Sequence, residues 1–93
     1  MSDPTWRLRY ALSFDKQADK LDKAVLQRVH TYLKATVASG DPRSRGHGLT
    51  GPLAGYWRYR IGDYRVIADI GDDSLVVIAV SIGHRSAVYD GEP

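Results

Sequence analysis

From Trp6 to Phe14 every second residue is large and apolar: Trp6, Leu8, Tyr10, Leu12 and Phe14 alternate with Arg7, Arg9, Ala11 and Ser13. A period of two over this length predicts a strand with one buried face. Asp15 then offers an N-cap for a short helix from Lys16 to Leu21, and Asp22 offers one for a second helix. In that second helix Val25, Leu26, Val29, Leu33 and Val37 recur at the three- and four-residue spacing of an amphipathic helix with one apolar stripe. Ser39-Gly40-Asp41-Pro42 ends it, because glycine suits a left-handed C-cap and proline cannot continue a helix.

Residues 40–55 are rich in Gly, Pro, Ser and Arg and read as a loop. Two strands follow at roughly 56–61 and 64–70, joined by the tight Gly62-Asp63 turn. A third, at roughly 74–82, is entered through Gly71-Asp72-Asp73. Its segment from Leu75 to Val80 is apolar at every position, which suits a central strand covered on both sides. Strand, helix, helix and three strands predict an α+β domain: a helical hairpin packed on one face of a four-stranded, mostly antiparallel sheet. The first strand can join that sheet at its edge or beside the central strand.

Composition narrows the class. The 93 residues, 43% of them hydrophobic, suffice for one compact core, so 1–93 is expected to be a single domain without a cofactor-binding subdomain. The absence of cysteine excludes disulfides and thiolate metal sites and fits a reducing compartment. Neither a signal-peptide pattern nor an apolar run near the ~20 residues of a membrane helix is present, and a soluble, cytoplasmic protein with no membrane contact is expected. The net charge of +2 matters less than its distribution. All the lysines (Lys16, Lys20, Lys23, Lys34) lie in the helical segments, and every basic side chain beyond residue 41 is an arginine.

Those arginines carry the candidate chemistry. Strand alternation points Arg58 and Arg60 one way, with Tyr56, and sends Trp57, Tyr59 and Ile61 the other way, toward the helices. Across a two-residue turn Arg65 can share the face of Arg60. His84 and Arg85 leave the last strand where they can lean over the same face, and Tyr89 follows. Clustered guanidinium forks grip phosphate, and tyrosines stack on bases, so RNA is the first substrate to consider. Each arginine taken singly is also an ordinary solvated residue of an open sheet face. His30, His47 and His84 lack metal-ligand spacing, so no metal is expected. Gly46-His47-Gly48-Leu49-Thr50-Gly51 lacks the Gly-Lys-Ser/Thr ending of a P-loop. His47 can touch a ligand, but nothing in the pattern singles it out.

Leu49-x-Gly51, the run from Trp57 to Ile67 and Gly83-His84-Arg85-x-x-Val88-Tyr89 together resemble the RelE/ParE superfamily of toxin–antitoxin toxins, and the RelE branch most closely. The resemblance spans essentially the whole chain, and its specificity lies between Gly55 and Tyr89. It implies a ribosome-dependent mRNA endonuclease that cuts in the A site without metal or other cofactor, the 2′-hydroxyl attacking the neighbouring phosphate. It maps a central-strand arginine onto Arg65, the arginine after the last strand onto Arg85, and a C-terminal tyrosine onto Tyr89. Basic residues of the preceding strand map onto Arg58 and Arg60. His84 is the candidate acid or base, since an imidazole suits proton transfer, or alternatively it shapes the turn. Arg43 and Arg45 either contact ribosomal RNA or belong to a solvated loop. The implied partners are a RelB-like antitoxin, the ribosome and mRNA, with a monomeric free toxin that joins the antitoxin in a heteromeric complex. The alternative is a ParE-like toxin that inhibits DNA gyrase and cuts nothing.

Overall fold

A computed structural model describes residues 5–85. Five strands form one sheet in the order β1-β5-β4-β3-β2: β1 is Arg7–Tyr10, β2 His47–Gly48, β3 Trp57–Ile61, β4 Tyr64–Gly71 and β5 Val76–His84. β1 lies parallel to β5 at one edge, and every other pairing is antiparallel. The helices α1 (Leu12–Ala18) and α2 (Lys23–Ala38) cover one face. The α+β class and the helical hairpin are as expected, but the sheet gains β2, two residues drawn from the expected loop.

The first strand is shorter than its alternation suggests. Its ladder ends where the Ala11 N–H donates to the Ala79 carbonyl at 2.9 Å. Leu12 is then 75% exposed and Phe14 only 4%, and Phe14 and Ala18 enter the core at helical spacing. Asp15 therefore lies inside α1, whose N-cap position is Ala11. Two α1 side chains serve β5 where β1 has stopped. Ser13 Oγ donates to the Val80 carbonyl at 2.6 Å, and Gln17 Oε1 accepts from the Ile82 N–H at 2.7 Å. Main-chain groups left without a ladder partner must be satisfied some other way, and a helix at this position meets that need.

In α2, Val29, Leu33, Thr36 and Val37 are buried, as the stripe predicts. Asp22 occupies the N-cap position, although its carboxylate makes no capping bond. Gly40 follows the helix with φ of +85°. Leu33, Val29 and Val37 pack against Tyr59, Ile61, Val66, Ala68, Val77, Ala79 and Ile82 of the sheet. Tyr59 is fully buried, and its hydroxyl donates to the Pro42 carbonyl at 2.6 Å. Burial pushes its pKa up to about 12.

Among the described residues, helices cover β5 on one side only. Val77, Ala79 and Ile82 are buried, whereas Val76, Ile78 and Val80 are partly exposed. A bulge explains how Ala79 and Ile82 both face the core. Ile67 pairs with Ser81 and Ala68 with Ala79, so the ladder skips Val80.

Candidate functional site

Register decides which side chains share the open face. Arg60 lies directly across from Arg65, and Arg65 across from Gly83. Arg58 lies across from Ile67 on one side and His47 on the other. Arg58, Arg60, Arg65 and His47 therefore occupy one face, away from the helices. Arg58 and Arg65 are half-buried, Arg60 is exposed, and the Arg65 Nε atom is shielded from solvent. Directly opposed residues have Cβ atoms about 5 Å apart, and like charges in that position oppose pairing. The Arg60–Arg65 pair thus concentrates positive charge on this face.

β2 brings His47 to this face. Gly46 (φ +84°) lies against the Arg58 carbonyl, and a Cβ there would stand 2.6 Å from Trp57 Nε1. Trp57 Nε1 donates to the Arg45 carbonyl at 2.7 Å, which clamps the loop onto β3. His47, Arg58, Arg60, Gly46 and Tyr32 line a cavity of about 130 Å³. Only the pairing of His47 with Arg58 reveals this association, since β2 is too short to carry a periodic pattern. The flanking glycines were the available signal.

His84 is placed differently from the expectation. It lies across from Tyr64, and their rings meet edge-to-face with centroids 5.4 Å apart. Tyr64 in turn lies across from the buried Ile61. The imidazole consequently stands on the helix-facing side, because it is one residue out of phase with the arginines. Arg85 is exposed, and its N–H donates to the Asp63 carbonyl at 2.7 Å, extending the β4–β5 ladder by one bond. Continued alternation from Gly83 returns Arg85 to the arginine face. Tyr89 lies outside the described residues.

The loop arginines have separate engagements. Arg43 makes a bidentate pair with Asp72, both bonds 2.9 Å, and lies 5.9 Å from the Trp57 ring centroid. Its bond holds the Asp72 carboxyl below the usual range. Arg45 stacks over Tyr32 at 4.6 Å and bonds Thr36 Oγ1 at 3.4 Å. Arg45 and Arg60 also border a groove of about 710 Å³ between α2 and β3, with Arg28 and Ile61. Arg60 therefore stands where the groove meets the open face.

Two helices cover one side of a mixed sheet and arginines are displayed on the other, and solved structures share this fold. The toxin–antitoxin complex RelBE2 from Mycobacterium tuberculosis matches with a TM-score of 0.79 and 24% identity, over 88% of this chain and 93% of that one. The archaeal RelE–RelB complex from Pyrococcus horikoshii matches with 0.68 and 25%, over 91% and 100%. The isolated RelE toxin of E. coli matches with 0.69 and 21%, over 85% and 83%. Comparison with curated protein sequences gives no significant match. The family described as "ParE toxin of type II toxin-antitoxin system, parDE" matches residues 8–89. The chain belongs to this family and is a toxin of a type II toxin–antitoxin system within the RelE/ParE superfamily. Among the described residues, no helix is long and apolar enough to cross a membrane.

Proposed function

We propose that the chain is a ribosome-dependent mRNA endonuclease acting in the A site. The observation that carries this is the opposed Arg60–Arg65 pair, with Arg58 and His47 on the same face. Attack of a 2′-hydroxyl on the adjacent phosphorus forms the 2′–O–P bond and breaks the bond to the 5′-oxygen. The products are a 2′,3′-cyclic phosphate and a free 5′-hydroxyl. Charge gathers on the non-bridging oxygens in between. Arg65 and Arg85 stabilise it directly, while Arg58 and Arg60 hold the flanking phosphate; loss of one such donor typically costs about 3 kcal/mol.

Arginine stays protonated at working pH and is a poor base. An imidazole suits the proton transfer better, and His47 is the histidine that shares the arginine face. It takes the 2′-proton while solvent protonates the leaving 5′-oxygen. His84 then shapes the end of β5 against Tyr64. Tyr89 stacks on a base or orients the 2′-hydroxyl. Arg45 approaches ribosomal RNA beside the groove, and Arg43 supports the loop through Asp72.

A RelB-like antitoxin is the expected partner, since the matched structures from M. tuberculosis and P. horikoshii are toxin–antitoxin complexes. Covering the arginine face would neutralise the toxin. A second function, gyrase inhibition without RNA cleavage, is favoured by the ParE family match itself. Purified chain added to translating ribosomes separates the two. Cuts phased to codons support the endonuclease, whereas intact message together with blocked gyrase supercoiling supports the inhibitor.

A further inference from the structure

The arginine face does not stop at β3 and β4. In the parallel β1–β5 ladder Arg7 lies across from Val76 and Arg9 across from Ile78, while Leu8 and Tyr10 take the core side. Val76 lies across from Gly71 of β4, and Ile78 across from Asp69. Arg7 and Arg9 are therefore on the same open face as Arg58, Arg60 and Arg65, and both are exposed. Three strand spacings and a two-residue offset along β4 separate Arg9 from Arg58, about 16 Å between backbones. Ile67, Asp69, Ile78 and Ser81 lie on the intervening face, and the Asp69 carboxylate is the one charged group among them.

The sign of the face is one-sided. Among the described strand residues, Asp69 is the only carboxylate on it. The helical side mixes signs, with Lys16, Lys20, Lys23 and Lys34 interspersed among Asp15, Asp19 and Asp22. A face that merely stays wet has no need to exclude carboxylates, and an edge strand is usually blunted by lysine. Here the edge strand carries arginine, the side chain that grips phosphate in two places.

We infer that Arg7 and Arg9 form a second phosphate-binding cluster, and that the RNA strand cut at the Arg60–Arg65 pair continues across the sheet to β1. The ligand is the sugar–phosphate backbone of single-stranded RNA flanking the scissile phosphate, read by charge and not by sequence. The inference rests on the endonuclease assignment and adds a footprint to it. Arg7 and Arg9 are positioning residues that touch no reacting atom.

The test is the affinity of the purified toxin for a fluorescein-labelled polyuridine oligonucleotide, measured by anisotropy across a salt series. Each phosphate contact contributes about −0.7 to the slope of log K against log salt for single strands. The R7A/R9A double variant is expected to flatten the slope by about 1.4, which at 0.1 M salt is about a 25-fold loss of affinity. R7K/R9K should restore the slope. In ribosome-dependent cleavage the double alanine variant should raise KM and leave kcat nearly unchanged. Both positions are exposed, and a melting curve confirms folding. An unchanged slope in R7A/R9A overturns the inference while leaving the endonuclease assignment intact. Weakened antitoxin binding with unaltered RNA binding also overturns it, and assigns the cluster to the protein partner. Failure of the unsubstituted toxin to bind the oligonucleotide overturns the inference alone, and its failure to cut mRNA on translating ribosomes overturns both.

Discussion

Gly46→Ala tests whether the clamped loop builds the arginine face. Gly46 has φ of +84°, and an added Cβ would overlap the Arg58 carbonyl and stand 2.6 Å from Trp57 Nε1. Two costs add. A left-handed backbone with a Cβ costs about 1–2 kcal/mol. Displacing the Trp57 indole loses its 2.7 Å bond to the Arg45 carbonyl, about 1 kcal/mol net. The expected destabilisation is about 2–3 kcal/mol, or a fall in Tm of roughly 10–20 °C for a domain of this size. Gly40→Ala is the internal control, since Gly40 has φ of +85° but nothing within 4 Å of the position its Cβ would take. It carries the backbone cost alone, so the two variants should differ by at least about 1 kcal/mol in urea unfolding, the overlap with the Arg58 carbonyl adding to the lost bond. G46A should also lose endonuclease activity, because His47 and Arg58 move together. Equal stability of G46A and G40A would refute the clamp.

Three further outcomes are expected. Tyr59→Phe removes the hydroxyl that bonds the Pro42 carbonyl and should cost about 1–2 kcal/mol by urea melts. The folded-state pKa of Tyr59, raised to about 12 from 10.0, means that the neutral phenol is favoured by folding. That stability is fully present below pH 10 and is lost as pH rises toward 12, so alkaline unfolding in this window should be shallower in Y59F. Arg65→Ala and Arg85→Ala should each reduce RNA cleavage by about 10²–10³-fold while antitoxin co-purification persists. His47→Ala should lower the cleavage rate by about 10²–10⁴-fold, whereas His84→Ala should lower stability and leave cleavage in place; the reverse pattern would return the acid–base role to His84.

Much of the architecture was legible because it is written in long periodic segments. The α2 stripe, the Gly62-Asp63 turn and the alternation of Trp57 to Ile61 each depend on local spacing, and each appears as read. The failures arise where local patterns are ambiguous or the deciding contact is remote. Leu12 to Phe14 fits both periods, and the helix prevails where Ser13 and Gln17 meet β5, some 65 residues away. β2 exists because Gly46 lets the loop approach β3, an interaction that two residues of strand cannot advertise. At the site, Arg58, Arg60 and Arg65 were placed correctly by alternation across a two-residue turn. The facing of the histidines depends on register: one position puts His84 beside Tyr64, and a short unrecognised strand puts His47 beside Arg58.

The central claim is that the arginine face cuts RNA. It is tested most directly by expressing the chain, with R65A in parallel, and mapping the ends of cellular mRNA. The expected result is codon-phased cleavage of translated messages, with 5′-hydroxyl and 2′,3′-cyclic phosphate ends, that disappears in R65A. Growth arrest with uncut messages and inhibited gyrase, undiminished in R65A, would contradict it.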